Sequence, residues 1–410
     1  MKRILFPFAL LAGCLVLCSA ASAQLVLGQY EDEAPLGTWN ILGSPPAPSV
    51  GLGGAQFARA WDASASLANP ALLTSLARLT AGLSASYSGA SMFKYSLVNT
   101  GVVETIGTPS VGVIGVDGGG VAARLGPWAV ALVAVAPESY VRPSIAFSDG
   151  GYQLNFDQTG YLRVFHAGIA RRLPAGWSVG LGLNYAAGRL DRTTFERSAS
   201  VASTVTITDD KAERFHGFYI NAGLTWEATA RLTAGLSVRS PYVKKGTAES
   251  LLRYEALAGG TDIRIAAEAV NSFHQPWVFG IGLSYRLTEA WGLVADAAYF
   301  DWSRYSGTSF DEPLDRAFRN VLRAGAGVEY LAPARMYGRT ARIPFRLGLS
   351  SDPQPMTTVH SSYLALTFGT GLELKSLAVD ISGCFGREKG SGNSLRAGKI
   401  VLSVRYIAPK

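Results

Sequence analysis

The sequence predicts an all-β protein: a 14-stranded antiparallel transmembrane β-barrel of the outer membrane with an N-terminal plug, or hatch. Three observations predict it. The chain begins with a secretory signal, many segments alternate apolar with small or polar residues, and short turns alternate with long connections. Although 48% of the residues are hydrophobic, no uncharged apolar run after residue 24 reaches the roughly 18 residues of a membrane-spanning helix. A closed barrel is the other structure that satisfies every backbone hydrogen bond inside a bilayer.

Residues 1–23 have the layout of a signal peptide. Lys2 and Arg3 precede the apolar stretch ILFPFALLAGCLVL, and Ala21–Ala23 supplies small residues for cleavage. We therefore expect an exported mature chain that begins at Gln24. One alternative remains open, because the LAGC stretch ending at Cys14 matches the processing box of lipoproteins and would leave Cys14 lipidated at the new N-terminus.

Residues 24–78 lack the alternation of a strand and contain the segments GSPPAPSVGLGG and ASASLANPALL. Because the width of the lumen grows with strand number, a 14-stranded barrel must be filled or it will leak. We therefore predict that residues 24–78 form an N-terminal extension followed by a plug, whose small residues pack against a glycine-rich wall. A disordered periplasmic tail is the alternative that the composition leaves open.

Residues 79–410 are predicted to form the barrel. In WVFGIGLSYR (Trp277–Arg286) the aromatic and most aliphatic residues fall on one face, while glycine, serine and arginine fall on the other. INAGLTWE (Ile220–Glu227) divides in the same way. The apolar face suits lipid and the small or polar face suits a packed lumen. By this criterion fourteen strands begin near residues 79, 110, 127, 161, 177, 214, 231, 273, 290, 319, 342, 362, 376 and 395.

The connections between these strands fall into two classes. RRLPAGWS, WEATARLT, YRLTEAWG and ELKSLAV are short polar turns, typical of the periplasmic side. The other connections are long, at about residues 137–160, 192–215, 244–273 and 303–318, and they are rich in Ser, Thr, Asp and Gly. Short turns at one rim and long loops at the other are the asymmetry of outer-membrane barrels.

The composition argues against several other functions. The net charge of +7 comes from 37 basic residues with acidic residues scattered among them, so nucleic-acid binding is not expected. The four histidines lie far apart and Cys384 is the one cysteine outside the signal, which argues against a metal site or a disulfide framework. The chain has no Gly-x-Ser-x-Gly elbow. We therefore predict that it is not an enzyme and needs no cofactor or metal.

Glycine repeats inside the strands have a structural interpretation. The Gly-x-Gly sequences at Gly180–Gly182 and Gly280–Gly282 lack the strand-turn-helix setting of a nucleotide-binding turn. They are predicted to be wall positions where another part of the chain packs closely. By alternation, Cys384 should share the lumen face with Asp380 and Ser382, opposite Phe385.

Several motifs occur along the chain in a fixed order. GLGGAQFARAWDASASLANPALL comes first, then NAGLTWEATARLTAGLSVRSPY, GIGLSYRLTEAWGLVADAAYFDWSRYS and RLGLSSDPQP. In this order they resemble the FadL-type outer-membrane transporters of long-chain fatty acids and other hydrophobic compounds, along most of the mature chain. The resemblance implies that Asn69, Pro70 and Ala71 terminate the hatch. The sequence around Trp302 is similar to the family's Asp/Ser-Trp-Ser signature, and we interpret Trp302 as an aromatic anchor at the membrane interface.

The resemblance implies passive transport of hydrophobic ligands, either long-chain fatty acids or hydrocarbons, across the bacterial outer membrane. Ligand would be captured among the extracellular loops, pass to an apolar pocket in the lumen, and leave sideways or toward the periplasm. The family's third strand has an inward kink, but no central glycine in residues 127–137 marks its position here. We expect a monomer whose partners are the ligand, outer-membrane lipid and lipopolysaccharide. The alternative is a structural or protein-secretion partner of the same barrel family.

Two arginines are candidates for binding the ligand's head group. Arg192 ends a strand that rises to the long-loop rim and Arg319 begins one that descends from it, so both should lie where the family holds its ligand. Arginines that close an apolar pocket would bind a fatty-acid carboxylate through charge-assisted hydrogen bonds. Arg189 is a third candidate with a less certain facing. Solvated loop arginines and lipopolysaccharide contacts are the alternative interpretations.

Overall fold

The computed structural model describes most of the chain from residue 45 to residue 408. The described residues are 45–91, 96–99, 102–105, 110–149, 151–199, 204–256, 260–310, 312–313, 317–336, 338–355, 357, 360–390 and 396–408. The predicted signal peptide, which includes Cys14, and residues 24–44 of the predicted N-terminal extension lie outside this part of the chain.

Fourteen antiparallel strands form a closed barrel, as the alternation predicts, and the first strand pairs with the last. In chain order they are β1 Leu79–Ser91, β2 Ser110–Leu125, β3 Trp128–Ser139 with Arg142–Asp149, β4 Tyr152–Arg172, β5 Trp177–Ala199, β6 Thr204–Glu227, β7 Leu232–Arg239 with Tyr242–Ala256, β8 Thr261–Gln275 with Val278–Arg286, β9 Trp291–Phe300, β10 Val321–Met336, β11 Arg339–Pro353, β12 Ser362–Glu373, β13 Leu377–Lys389 and β14 Arg396–Ile407. Four short strands, Ser96–Asn99, Val102–Thr105, Ser306–Ser309 and Glu312–Pro313, lie in connections.

The helical elements are short. They are Ala47–Val50, Ala65–Ala68 and the 3-10 turns Pro70–Ser75, Pro174–Gly176 and Trp302–Arg304. None of the helices in the described residues is long and apolar enough to cross a membrane.

The outer face of the wall is apolar. Leu83, Leu132, Phe165 and Phe218 are all at least half exposed, although they are large apolar side chains. Alternation explains this, because each is flanked by residues that point inward. At the short-turn rim Trp177 stacks on Trp226 of the adjacent strand. Further aromatic pairs lie toward the other rim, as in the two aromatic girdles of an outer-membrane barrel. The girdle pairs include Trp177–Trp226, Trp291–Tyr330, Tyr185–Phe218 and Phe279–Tyr299.

The strands begin within a few residues of the predicted positions, with three exceptions. β4, β6 and β8 begin at residues 152, 204 and 261, which is nine or more residues earlier than predicted. Three of the predicted long loops are therefore largely paired strand, since the ladders β4–β5, β5–β6 and β7–β8 continue beyond the barrel. In the β5–β6 extension polar residues lie on both faces, as Asp209 and Asp210 do, so the apolar-polar contrast weakens while the pairing persists. The extensions of β4 and β8 keep only short alternating stretches, around Leu154 and Phe156 and around Ile263 and Ile265.

Residues 45–78, which we call the inner segment, lie inside the barrel. Wall side chains bind its backbone on several sides: Ser403 on β14 accepts a hydrogen bond from Ala47 N at 2.7 Å, and Thr367 on β12 accepts one from Gly53 N at 2.9 Å. On the opposite wall, Asn221 donates to the carbonyls of Ser66 and Leu67 at 2.9 and 3.0 Å. These contacts satisfy the polar groups of a segment that has little regular structure of its own.

Two wall glycines explain how the inner segment can approach so closely. A Cβ atom at Gly180 would lie 2.4 Å from Ala71 N, and one at Gly223 would lie 1.9 Å from Asn69 Oδ1. The prediction that strand glycines mark close packing is confirmed for the Gly180 repeat. Cys384 is buried on the inward face beside Asp380 and Ser382, while Phe385 is exposed, so its predicted facing is confirmed as well.

Candidate functional site

A cavity of about 280 Å³ lies in the lumen between the inner segment and the wall. Its floor is the inner segment, including Phe57, Ser64, Leu67 and Ala68. Its walls come from strands on two sides of the barrel, and among the described residues they include Val135, Pro137, Val164, Tyr219, Ser237, Arg239, Val278, Asp296, Phe300, Arg323 and Ser350. The cavity is therefore largely apolar with a few charged groups in its wall.

The charged groups of the cavity have different partners. Arg323 forms a salt bridge with Asp352 at 2.6 Å, and its guanidinium lies 5.4 Å from the ring of Phe300. Asp296 accepts hydrogen bonds from the backbone N–H groups of Gln56 and Phe57 in the inner segment, the latter at 2.8 Å. Asp296 therefore ties the floor of the cavity to β9.

A buried ion network holds the other side of the inner segment. Arg346 donates from Nε to Glu329 at 2.8 Å and from Nη1 to Asp380 at 2.7 Å. Arg405 donates to the second oxygen of Asp380 at 2.8 Å. Glu329 also accepts a hydrogen bond from Arg59 of the inner segment. Because Arg59 belongs to the inner segment and the other four belong to strands, the network joins the segment to β10, β11, β13 and β14.

Asn69, Pro70 and Ala71 lie at the end of the inner segment, against β5 and β6. Asn69 is fully buried and caps the following 3-10 turn, because its Oδ1 accepts a hydrogen bond from Ala71 N at 3.1 Å. Its Nδ2 donates to Phe57 O at 2.8 Å and to Leu224 O at 3.3 Å. One side chain thus connects two parts of the inner segment with the wall, a structural role that needs no ligand contact.

The seam between β1 and β2 is paired differently from its neighbours. Among the described residues the two strands share a single ladder pair, Leu79 with Ala123, and the backbone hydrogen bond from Arg124 N to Arg78 O. By contrast, β1 and β14 share twelve register pairs. Above Leu79 the seam is crossed by side chains: Ser86 donates to Asp117 at 2.7 Å on the lumen face.

A groove of about 960 Å³ lies in the wall at this seam. Its border is almost entirely apolar and includes the lipid-facing side chains of Leu83, Val121 and Leu132. The groove also reaches Gly120 and His166. The His166 side chain is buried, and a Cβ atom at Gly120 would point toward the lumen. A Cβ atom at Gly120 would lie 3.2 Å from Ala63 of the inner segment. The groove and the inner segment therefore lie on opposite sides of the same part of the wall.

The strand β3 is irregular next to the same seam. Its register against β4 shifts between Val135 and Glu138, so Ala136 and Pro137 form the irregularity. On the neighbouring strand, Gly118 has φ +145°, a conformation that other residues rarely adopt. Pro137 lacks an N–H and cannot continue the ladder, which explains why the sheet is interrupted at this point. The irregularity of the third strand, which no glycine in the sequence marks, therefore lies between Val135 and Glu138.

The family model for outer membrane protein transport proteins (OMPP1/FadL/TodX) matches residues 49–362. The chain belongs to this family. Its members are transporters of hydrophobic compounds and sit in the outer membrane as β-barrels. The short turns of such barrels face the periplasm and the long loops face the exterior, so the extended strands of β3–β8 form an extracellular sheet.

Solved structures of other members share the fold of this FadL/TodX-family chain. The CymD monoaromatic hydrocarbon channel is 15% identical, with a TM-score of 0.66 over 91% of this chain and 100% of that one. The Pseudomonas putida toluene transporter TodX is 14% identical, with a TM-score of 0.64 over 90% and 100%. The Ralstonia pickettii toluene transporter TbuX is 15% identical, with a TM-score of 0.61 over 89% and 99%. None of the curated proteins matches the sequence.

The three arginines proposed for the head group lie at the extracellular mouth of this family barrel, and none is among the described residues that line the lumen cavity. Arg192 is buried on the inward face of the extracellular sheet, opposite Lys211. Arg319 lies two residues before β10, and its Nη2 donates to Gln354 O at 3.2 Å. Arg189 is exposed on the outward face and pairs with Asp191, whose hydrogen bond raises the pKa of Arg189 above its usual value. Arg192 lies on β5 and Arg319 just before β10, and four strands separate β5 from β10 in the wall, so the structure places the two arginines on different parts of the rim.

The structure contradicts the interpretation of one further residue, Trp302, and shows one cavity residue, Arg239, that the sequence did not indicate. Trp302 is buried against Phe273, Tyr305 and Phe318, so its interpretation as an interfacial anchor is wrong. The 3-10 turn after β9 carries it away from the lipid face. Arg239, which lines the cavity, was not predicted from the sequence, because nothing in LSVRSPY distinguishes it from other inward-facing arginines.

Proposed function

We propose that this protein carries hydrophobic ligands passively across the outer membrane, with the inner segment acting as the plug. The observation that supports the proposal is the lumen cavity, whose 280 Å³ is nearly twice the roughly 150 Å³ of an apolar protein cavity that binds benzene. A filled lumen would instead favour the alternative, a structural or secretion partner. Ligand would enter at the extracellular sheet and occupy the cavity. The inner segment would block its direct path to the periplasm.

We further propose that the ligand leaves sideways through the seam between β1 and β2. Lipid is a favourable destination for an apolar molecule, whereas the periplasm is not. A single ladder pair makes this seam easier to open than its neighbour, since each lost backbone hydrogen bond costs about 1 kcal/mol. The groove outside the seam offers an apolar surface on which the ligand can emerge.

A cross-link across the seam tests both proposals. Continuing the antiparallel register from Leu79 and Ala123 places Ala81 opposite Val121, and both border the groove. In a Cys384→Ser background, we expect Ala81→Cys with Val121→Cys to lose most uptake of a radiolabelled hydrophobic compound when oxidised. Reduction should restore it, because the wall can then open again. Uptake is measured in Gram-negative host cells whose lipopolysaccharide layer slows unaided entry.

The matched control is Leu293→Cys with Val328→Cys, a directly opposed pair in the fully laddered seam of β9 and β10. This cross-link should leave uptake unchanged. Undiminished uptake through the oxidised β1–β2 variant would rule out the lateral route but not transport. If the unmodified protein gives no more uptake than empty host cells, the transport function itself is wrong.

A further inference from the structure

The outward face of β4–β6 carries a row of aromatic side chains toward the long-loop rim. The row consists of Phe165, Tyr185 and Phe218, whose neighbouring ring centroids lie 6.5 and 4.7 Å apart. Aromatic rows at the ends of the apolar band of a barrel mark the boundary between acyl chains and head groups. Outward-facing residues beyond this row, in the direction of the extracellular sheet, therefore lie level with the head groups of the outer leaflet.

The outward positions just beyond the aromatic row are rich in basic side chains. Four exposed cations on adjacent strands, which we call the basic row, occupy two successive register levels: Arg163, Arg189, Arg214 and Lys245. These levels are two and four residues beyond the aromatic row, or roughly 7–13 Å along the strands at about 3.3 Å per residue. Each cation adjoins a buried, inward-facing residue in the sequence, so all four side chains point away from the lumen.

A groove of about 540 Å³ follows the basic row on the outer surface of the wall. The three arginines of the row and His216 border it, together with the rings of Tyr161, Phe165 and Tyr185. No carboxylate is found among the described residues that border the groove. The guanidinium of Arg163 lies 4.3 Å from the ring of Tyr161. The groove therefore presents positive charge beside an aromatic surface, on the side of the wall that faces the outer leaflet.

The charges of the basic row are poorly compensated by the protein. Arg189 and Arg214 are directly opposite each other on β5 and β6, and like charges in this arrangement destabilise a sheet. Asp191 contacts Nε of Arg189 at 2.5 Å, whereas Arg214 forms no ion pair within the described part of the chain. An anion held between the two guanidinium groups would remove their repulsion. The forked N–H groups of arginine match the oxygens of a phosphate.

We propose that the basic row binds the phosphate groups of lipid A, the phosphorylated glycolipid that anchors lipopolysaccharide in the outer leaflet. Clusters of basic residues at the edge of the apolar band bind anionic lipid head groups. The groove is also continuous with lipid-facing side chains such as Phe165, Leu183 and Phe218, which are all at least half exposed and can contact the acyl chains of the same molecule. This inference requires only the outer-membrane location of the family and does not depend on transport.

The test measures binding of purified bisphosphorylated lipid A, and of the same lipid A with its phosphates removed, by native mass spectrometry. The full-length protein is purified from outer membranes in a non-ionic detergent and washed free of lipopolysaccharide. We expect Arg189→Gln with Arg214→Gln to weaken binding of bisphosphorylated lipid A by roughly tenfold to a hundredfold, the effect of losing hydrogen bonds to a charged group. Arg189→Lys with Arg214→Lys should retain part of the affinity, because the charge remains but the forked geometry is lost.

The matched control is Arg253→Gln with Arg264→Gln. These two arginines are also exposed and directly opposite each other, on β7 and β8. Arg253 lies eight residues beyond Lys245 on β7, roughly 26 Å further into the extracellular sheet at about 3.3 Å per residue. The control removes the same charge from the same sheet, so it should bind lipid A as the unmodified protein does.

The outcomes can overturn the site or its ligand separately. An equal loss of affinity in the two glutamine variants, or no loss in either, would overturn the assignment of the basic row. If the unmodified protein binds dephosphorylated lipid A or phosphatidylglycerol as tightly as bisphosphorylated lipid A, the ligand is wrong. Because no step of this experiment involves uptake, failure of the transport function would leave its result unchanged. Heat-modifiable mobility in electrophoresis confirms that each variant is folded.

Discussion

Replacing Gly223 by valine is expected to displace the end of the inner segment and open the barrel to hydrophilic solutes. A Cβ atom at this position would lie 1.9 Å from Asn69 Oδ1 and 2.9 Å from Pro70 Cδ. Neither neighbour can give way easily, because Asn69 is fully buried and bonded to the wall and to Phe57 O. Overpacking of this kind typically costs about 1–3 kcal/mol, enough to favour a displaced segment over the packed one.

The measurement is the conductance of the protein in a planar lipid bilayer. We expect the unmodified protein to be closed to ions and Gly223→Val to show large, frequent openings. Gly292→Val is the matched control, since a Cβ at Gly292 would meet only the end of the flexible Arg59 side chain, at 3.5 Å. If Gly223→Val is as closed as this control and equally stable, residues 45–78 are not the plug.

Replacing Arg346 by methionine is expected to lower the free energy of unfolding by about 3 kcal/mol. Its side chain is 0% exposed and contacts Glu329 and Asp380, which are themselves buried. Breaking a buried ion pair by removing one partner costs about 3–5 kcal/mol because a buried charge is left uncompensated. The lower value applies here, since Arg59 still contacts Glu329 and Arg405 still contacts Asp380.

Equilibrium unfolding in urea, followed by tryptophan fluorescence in lipid vesicles, measures this loss. Arg342→Met is the control: Arg342 is on the same strand and contacts Glu373 at 3.2 Å, but its side chain is 59% exposed. An exposed ion pair contributes less than about 1 kcal/mol, so this variant should unfold close to the unmodified protein. Equal shifts for the two variants would contradict the view that the buried network stabilises the barrel.

The strand pattern was sufficient to predict the barrel. In Val278–Arg286 and Ile220–Glu227 the facing predicted for a residue follows from its parity, because successive side chains of a strand point to opposite faces. The same parity places Cys384 on the lumen face. Short polar turns then fix which strands are neighbours, and the order of motifs indicates the family. None of these inferences depends on which residues face one another across the lumen.

Parity fails where both faces have the same character. The extracellular extensions of β5 and β6 pair as regularly as the barrel itself, yet their residues are polar on both sides and were predicted to be loops. Trp302 was misinterpreted for a related reason, because a tryptophan at a strand end is consistent with either the lipid face or a buried cluster. Local pattern could not decide between the two.

The sequence by itself thus determined the class of fold, the facing of most strand residues and the membership of the family. Only the tertiary structure decided which residues meet inside. Arg239, Asp296 and Phe57 border one cavity although they lie far apart in sequence, because closure of the barrel and the path of an inner segment without periodicity bring them together. Parity shows that Arg192 and Arg239 face inward, but it carries no information about depth or about partners across the lumen. The stagger of fourteen strands and the packing of residues 45–78 set both.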